Sequence, residues 1–458
     1  MMMKQILFTL ALFFSIWGVS AQDTNSKNAL YQYVNRQDNS YQWKLNDTLK
    51  GEGWTAHRLI LTSQTWRDLK WMHELVVIVP ERLTHQEVLL HVAGGSADDK
   101  TGFPNLHKWD DSAIKNQTAI SARCEAVTAV LWQVPRQPLM GGKYEDELLS
   151  YTLHQFQQDG DYTWPLLFPM VKSVVKAMDA VGEFVMDTCR KEANRFVVTG
   201  YSKRGWTTWM TAGTGDPRVV AIAPMVIDIL NMPVSVPYQR HMFGGYSIQI
   251  QDYVNLGLTE ELASSSGLEL VDMIDPYSYR AKYTMPKMVF LGTNDEYWTV
   301  DAVKNYIDGI PGEKYTSYVT NAGHGLGQDA TTSLEAFFYQ TIHGKEYPCY
   351  EYKIKEKGGK IHLDIKADKD LLADVLIWEA CSGNKDFRKK KFEPTSLGIS
   401  GKKKFSVDVA YPKEGYKAFL VMLKYKHPSM PGATYNITTR MFTASPNELF
   451  EEAFSLKD

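Results

Sequence analysis

Residues 200–205, Gly-Tyr-Ser-Lys-Arg-Gly, place a serine between glycines. The residues before them, 195–199, are typical of a short buried strand, and residues 206–212 are typical of the start of a helix. A serine on a sharp strand-to-helix turn presents an exposed hydroxyl, which is how some hydrolytic enzymes present their nucleophile. Ser202 is therefore a candidate nucleophile for acyl transfer.

A serine hydroxyl is a weak nucleophile until a base removes its proton, and that base must be oriented by an acid. Asp295 follows an apolar run at the expected end of a strand, and His324 lies in a glycine-flanked loop after the next such run. The order Ser202, Asp295, His324 is the chain order of the catalytic groups in α/β-hydrolases. Glu296 and Asp301 are rival acids. Asp295 could also simply cap a following helix, and His324 could be an ordinary exposed loop residue.

The oxyanion that forms during acyl transfer needs preorganised N–H donors. The backbone N–H of Lys203, directly after the candidate nucleophile, is the first predicted donor. Gly94 or Gly95, after the third strand, is predicted to supply the second. The other interpretation of this glycine pair is a plain tight turn.

Arg204 stands where the common Gly-x-Ser-x-Gly turn has its second glycine, and Gly205 follows one residue later. Two cations, Lys203 and Arg204, therefore flank the candidate nucleophile. One hypothesis is that they bind an anionic substrate group or the oxyanion. The alternative is that they are outward solvated charges or members of a structural ion pair. Aromatic residues near the same edge of the sheet are candidates for a pocket wall or for the core: Trp132, Trp206, Tyr297 and Trp298.

Eight short apolar or alternating runs predict the strands that must position these residues: 57–61, 73–79, 87–93, 127–132, 195–199, 219–223, 287–291 and 315–319. Helical spacing separates several of them, most clearly between Pro165 and Lys191. Strands that alternate with helices indicate a mostly parallel sheet with helices on both faces. We therefore predict an α/β-hydrolase fold with an eight-stranded sheet over residues 22–345. Residues 22–50 are predicted to form a helix and a loop.

The pattern changes after residue 345, where strand-like runs follow one another without a long helix. This region, residues 346–458, is predicted to form a C-terminal β-sandwich domain. Residues 233–279 lie between the sixth and seventh predicted strands of the hydrolase unit. They are predicted either to form a cap over the substrate pocket or to be a plain surface excursion.

The composition restricts the partners and the compartment of the protein. The 458 residues include 50 basic and 53 acidic ones, so the net charge of −3 gives no electrostatic reason to expect nucleic acid or a membrane surface as a partner. Residues 1–21, with a charge at Lys4, an apolar stretch and small residues at its end, are predicted to be a signal peptide. No later stretch is long enough to span a membrane, so we expect an exported, periplasmic or extracellular protein.

The four cysteines do not have the spacing of a zinc site, and no metal or cofactor is expected. Export makes disulfides possible. Cys349 with Cys381 is the favoured pair, and the alternative is that some of the four, which include Cys124 and Cys189, are free thiols.

Motifs along nearly the whole chain are shared with one known family, and residues 200–207 (Gly-Tyr-Ser-Lys-Arg-Gly-Trp-Thr) are the strongest. The others lie at 30–34, 61–66, 132–135, 169–172, 177–181, 274–277, 292–296, 378–380 and 386–388. On these motifs the chain resembles the PhoPQ-activated pathogenicity-related proteins. The resemblance implies a secreted protein with the hydrolase fold and a C-terminal β-domain, and implies no substrate. The Ser-Lys-x-Gly turn is also similar to the Ser-Arg-x-Gly turn of glucuronoyl esterases, which would suit a cation serving an acidic sugar ester.

The sequence thus predicts a secreted serine hydrolase that cleaves an ester or amide bond in a small-molecule, glycan-ester or peptide substrate. Ser202 would be the nucleophile, His324 the general base and acid, and Asp295 the orienting acid. A different class of function is a secreted binding or signalling protein that keeps the fold without turnover. A narrower rival is a prolyl-dipeptidyl-type peptidase, which would need acidic residues to bind a substrate amine.

Overall fold

The computed structural model describes residues 24–348, 350–398 and 403–455. The predicted signal peptide lies outside these residues, as does Cys349, so its pairing with the exposed Cys381 stays a prediction. The helices are α1 (Ala29–Asn35), α2 (Ser112–Cys124), α3 (Glu145–Asp159), α4 (Leu167–Cys189), α5 (Lys203–Gly213), α6 (Met232–Phe243), α7 (Gln251–Asn255), α8 (Ser265–Ile274) and α9 (Gln328–Ile342). None of the helices in the described ranges is long and apolar enough to cross a membrane.

The first half of the main sheet has the strand order β1-β2-β3-β5-β4-β6-β7-β8-β9. The strands from β4 onward pair in parallel, and β1, β2 and β3 are antiparallel to their neighbours. Their bounds are β1 (Gln42–Gly51), β2 (Trp54–Trp66), β3 (Leu69–Pro80), β4 (Glu87–Val92), β5 (Val127–Leu131), β6 (Arg195–Tyr201), β7 (Val219–Met225), β8 (Lys287–Gly292) and β9 (Lys314–Val319). The eight predicted strands are β2 to β9, and the exchanged order of β4 and β5 is that of the α/β-hydrolase fold.

One prediction at the N-terminus is wrong. Helix α1 forms as expected, but residues 42–51 are strand β1 and not a loop. This edge strand is largely exposed and polar, so it lacks the apolar alternation that would have marked it in the sequence.

The C-terminal region contributes two layers. Strands β10 (Tyr350–Lys357), β11 (Lys360–Ala367) and β14 (Lys404–Val409) form a separate antiparallel sheet. The other strands extend the main sheet beyond β9 in the order β16-β15-β12-β13, with β17 and β18 beside β15. They are β12 (Leu372–Ser382), β13 (Glu393–Ser396), β15 (Tyr416–Lys426), β16 (Thr434–Thr438), β17 (Phe442–Ser445) and β18 (Glu448–Leu449). The two layers share one core and make a sandwich-like unit whose larger sheet continues that of the hydrolase unit.

The two largest apolar cores of the described residues pack on the parallel sheet. The larger one contains the inner faces of α4 and α5, where apolar residues recur at helical spacing. The other lies on the opposite side of the sheet and runs from α2 and α9 into the C-terminal sandwich without a break. Phe337 on α9 is fully buried in this second core and stacks on Tyr347, with ring centroids 5.2 Å apart.

This packing predicts that Phe337→Ala lowers the free energy of unfolding by about 3–5 kcal/mol, because it leaves a cavity in a core that both units share. Chemical denaturation measures the change. Phe103→Ala is the matched control: Phe103 is 42% exposed, so its truncation should change stability by less than about 0.5 kcal/mol. Equal effects of the two variants would contradict a shared core at α9.

Candidate active site

Ser202 occupies a strained turn between β6 and α5. Its backbone has φ 55° and ψ −124°, outside the regions that L-residues favour. The Ser202 N–H donates to the carbonyl oxygen of Met225 at 2.9 Å, and its own carbonyl accepts from the N–H of Trp206 at 2.9 Å. The turn is therefore fixed from the neighbouring strand on one side and from the helix on the other.

The glycines of this turn are explained by two close approaches. A Cβ at Gly200 would lie 2.8 Å from Cβ of Arg204, and a Cβ at Gly205 would lie 2.6 Å from the carbonyl oxygen of Met225. Both distances are too short for a side chain. The glycine that contacts the neighbouring strand stands at 205, which leaves position 204 free to carry a long side chain.

Asp295 and His324 contact each other at the carboxyl ends of β8 and β9. Nδ1 of His324 lies 2.9 Å from both carboxylate oxygens of Asp295. Asp295 is buried, and Oδ1 also accepts the N–H of Tyr297 at 2.9 Å. Burial raises the pKa of Asp295, and its hydrogen bond to His324 opposes that rise. Within the described part of the chain, Nε2 of His324 is buried without a hydrogen-bond partner, so it is available to a further proton donor.

The two rival acids have other partners. Glu296 is exposed and accepts the backbone N–H of His324 at 3.0 Å, so it supports the histidine loop and not the imidazole. Asp301 is fully buried and accepts from Tyr238, Lys304 and Thr443.

The two cations beside Ser202 have carboxylate partners. Arg204 makes a bidentate pair with Glu145, at 2.6 and 2.7 Å, and its Nε donates to the carbonyl of Val134. Nζ of Lys203 lies 2.9 Å from Asp146 and 3.2 Å from Glu145. Burial alone would raise the pKa of Glu145, but the hydrogen bonds and charge of Arg204, with the charge of Lys203, lower it to about 2. The geometry is that of a structural ion-pair cluster.

The candidate oxyanion donors lie on both sides of this cluster. Lys203 is the first residue of α5, where a backbone N–H has no acceptor within the helix. Gly94 and Gly95 follow β4, and their carbonyl oxygens accept from the Gln133 N–H at 2.9 Å and from Gln137 Nε2 at 3.0 Å. These bonds use the carbonyl groups, so the N–H groups of both glycines remain candidates.

A small, mostly apolar cavity of about 90 Å³ lies beside Ser202. Residues of α5 and of the loop after β7 line it, together with residues of the 233–279 segment, which forms α7, α8 and most of α6. Its lining includes Asp146, Ser202, Lys203, Trp206, Leu270, Tyr297 and Trp298.

Tyr297 connects this cavity to the histidine. Its ring stacks on the imidazole of His324, with centroids 4.1 Å apart and an angle of 28° between the planes. Burial, with the nearby charge of Asp146 as the next cause, raises the pKa of Tyr297 to about 12, so its hydroxyl stays protonated at neutral pH. Trp132 lies elsewhere, buried and stacked on His107.

Sequence reasoning missed the acids that neutralise the cations. The acidic run 145–147 at the start of α3 was visible, but nothing local indicated which charges it would meet across more than fifty residues. It also missed Asn294 and Asn321, whose side chains bind carbonyl groups of Lys390 and Phe392 in the C-terminal region. Within the described ranges, no group of three or more His, Cys, Asp or Glu side chains could hold a metal ion.

Comparison with known proteins gives one family and several similar structures. The family model described as PhoPQ-activated pathogenicity-related protein matches residues 30–388. Autocrine proliferation repressor protein A of Dictyostelium discoideum is 32% identical over 92% of this chain and 88% of its own. An acetyl xylan esterase from Paenibacillus sp. R4 has a TM-score of 0.46 and 13% identity over 69% of this chain and 93% of that one. Acetyl xylan esterase 1 from Thermoanaerobacterium sp. JW/SL YS485 has a TM-score of 0.42 and 12% identity, covering 65% and 87%.

The ion-pair cluster makes a prediction about pH. The folded-state pKa of Glu145, about 2, lies below its ordinary value of 4.5, so the ionised form stabilises the fold above pH 4.5. This contribution is lost as the pH falls from 4.5 through 2. We expect Glu145→Gln to lower the Tm at neutral pH, because Arg204 loses its charged partner, and the difference from the wild type to shrink below about pH 4.

Thermal unfolding between pH 2.5 and 8 measures this difference. Glu147→Gln is the matched control, because Glu147 is a surface residue that pairs with Lys143, four residues earlier in the chain. A Tm difference for Glu145→Gln that stays constant down to pH 2.5 would mean that its carboxylate does not stabilise the fold as an anion.

Proposed function

Since the chain belongs to the PhoPQ-activated pathogenicity-related protein family and has the α/β-hydrolase fold, we propose that it is a serine hydrolase acting through Ser202, His324 and Asp295. The observation that carries the proposal is the buried contact between Asp295 and Nδ1 of His324, which leaves Nε2 unpartnered. An acid in that position fixes the tautomer in which Nε2 can accept a proton.

The proposed reaction follows from these groups. Nε2 of His324 takes the Ser202 proton as Oγ attacks the substrate carbonyl, and Asp295 stabilises the imidazolium that forms. The N–H of Lys203, with that of Gly94 or Gly95, receives the oxyanion. His324 then returns the proton to the leaving alcohol or amine. Water hydrolyses the acyl-enzyme in the same way, with His324 again acting first as base and then as acid.

The cavity beside Ser202 supports an uncharged, apolar acyl group as substrate. Lys203 and Arg204 are both paired with carboxylates of α3, so neither cation is left to bind an anionic sugar ester. Asp146 lines the cavity but already accepts from Lys203 and Tyr253, which disfavours a role in binding the amine of a peptide. We therefore propose esters of short apolar acids as the substrate class.

The second candidate function is signalling without turnover. It is favoured by the relative's name, Autocrine proliferation repressor protein A, at 32% identity over most of both chains. In that case Ser202 would be dispensable for the protein's effect on cells.

The first test is labelling of the purified protein with a fluorophosphonate. We expect labelling of the wild type, none of Ser202→Ala, and a fall in kcat/KM on a reactive ester of about 10⁴-fold or more for Ser202→Ala and about 10⁴-fold for Asp295→Asn. Ser406→Ala, a serine of the C-terminal sheet, should label as the wild type does. A folded wild type that takes no label and hydrolyses no ester would favour the signalling function.

The second test varies the acyl group with the leaving group held constant. We expect p-nitrophenyl acetate and butyrate to be cleaved faster than the decanoate, and glucuronoyl esters to be poor substrates. Leu270 is a buried wall residue of the cavity on α8, so Leu270→Ala should raise kcat/KM for the octanoate relative to the butyrate about tenfold. Leu268→Ala, on the same helix but 52% exposed, is the control. Preferred cleavage of glucuronoyl esters would contradict the proposal that the substrates are esters of short apolar acids.

A further inference from the structure

We propose that the loop between β12 and β13, residues 383–392, positions the acid and the base of the active site. This inference rests on the proposed serine hydrolase function. It gives the C-terminal unit a role in the reaction, because the loop belongs to that unit and its contacts are made next to Asp295 and in the loop of His324.

The first contact is made by Asn294, the residue before Asp295. Its Nδ2 lies 3.2 Å from the carbonyl oxygens of Phe387 and Arg388 and 2.6 Å from that of Lys390. Its Oδ1 accepts from the hydroxyl of Thr293 at 2.8 Å. The side chain is thus fixed at both ends, and the backbone that carries Asp295 is tied to the loop.

The second contact is made by Asn321, three residues before His324. Its Nδ2 donates to the carbonyl of Phe392 at 3.0 Å, and its Oδ1 accepts the Phe392 N–H at 2.7 Å. Asn321 has φ 58°, a left-handed conformation that asparagine tolerates better than most residues. The Asn321 side chain therefore pairs with both backbone groups of Phe392, as a neighbouring β-strand would.

The two contacts are coupled to each other. The Asn321 N–H donates to the Thr293 hydroxyl at 2.8 Å, and the Asn294 N–H donates to the carbonyl of Ala322 at 3.0 Å. The turn that carries Asp295 and the loop that carries His324 are thus hydrogen-bonded to each other, and the 383–392 loop is bonded to both of them.

The loop is rigid enough to act as a support. Phe387 and Phe392 are 1% and 0% exposed and belong to the core of the hydrolase unit. Asp386 and Arg388 form a bidentate pair at 2.6 and 2.9 Å, and the Arg388 guanidinium lies 3.8 Å from the ring centroid of Phe243 at the end of α6. The loop is therefore anchored in the core and packed against α6, which also lines the cavity.

The geometry of a proton relay tolerates little displacement, because a misplacement of about 1 Å can reduce a rate about a hundredfold. We expect Asn294→Ala and Asn321→Gly to lower kcat about tenfold to a hundredfold with little change in KM, because they disturb the Asp295–His324 pair and leave the apolar cavity intact. Glycine is chosen at 321 because it keeps the left-handed backbone without strain.

Two further measurements separate positioning from a merely structural role. With Asp295 misaligned, the dependence of kcat/KM on pH should change, because the carboxylate no longer faces the imidazole in the same geometry. The downfield NMR resonance of the proton between Nδ1 of His324 and Asp295 should shift or broaden. Asn447→Ala, in the turn between β17 and β18, is the matched control and should change none of these quantities.

The outcomes distinguish this inference from the proposed function. Folded Asn294→Ala and Asn321→Gly proteins with wild-type kcat, pH profile and NMR resonance would overturn the inference while leaving the hydrolase intact. A wild type that takes no fluorophosphonate label would overturn the function, and the His324 resonance would still report whether the loop positions the pair. If Asn294→Ala does not fold, the kcat, pH profile and NMR resonance of Asn321→Gly are enough to test the inference.

Discussion

The site depends on one strained turn. A serine with φ 55° and ψ −124° costs about 1–3 kcal/mol, and such a conformation persists only where its surroundings hold it. Here the turn is bonded to Met225 of β7 and to the first turn of α5, and glycine at 200 and 205 permits the close approach. The parallel order of β6, β7, β8 and β9 then brings the residues after each strand to the same edge of the sheet.

Arg204 shows how the rest of the site follows from that turn. Its guanidinium pairs with Glu145 at the start of α3 and donates to the carbonyl of Val134 after β5. It also lies so close to Gly94 that a Cβ there would be 2.7 Å from it. One side chain thus contacts the Ser202 turn, the acidic start of α3 and the loop of the candidate oxyanion donor. Arg204, the residue that departs from the common motif, therefore holds these parts together. The close approach of its side chain is by itself enough to explain why residue 94 is a glycine.

The sequence predicted the features that depend on the periodicity of apolar residues and on the order of motifs along the chain. Apolar runs located the eight strands of the hydrolase unit, and the order Ser202, Asp295, His324 followed from where those strands end. It could not predict which charges would pair, because Glu145 and Arg204 are 59 positions apart and are brought together only by the tertiary fold. Nor could it predict the contacts of Asn294 and Asn321, since the loop that they bind has neither helical nor strand periodicity. Strand β1 was not predicted, because an exposed edge strand shows little alternation of apolar and polar residues.

The C-terminal unit also completes the sheet on the side of the histidine. Without β16, strand β9 would be an edge strand with unpaired backbone groups directly before the His324 loop. The Thr438 hydroxyl accepts the Tyr318 N–H at 3.2 Å and lies 3.3 Å from the Thr316 carbonyl, and the Thr316 hydroxyl donates to the Thr438 carbonyl at 2.7 Å. Threonine side chains thus make much of the contact between β9 and β16, which pair within the described residues at a single register position, Thr316 with Thr438. Strand β9, which leads into the His324 loop, is therefore paired on both sides, with β8 and with β16 of the C-terminal unit.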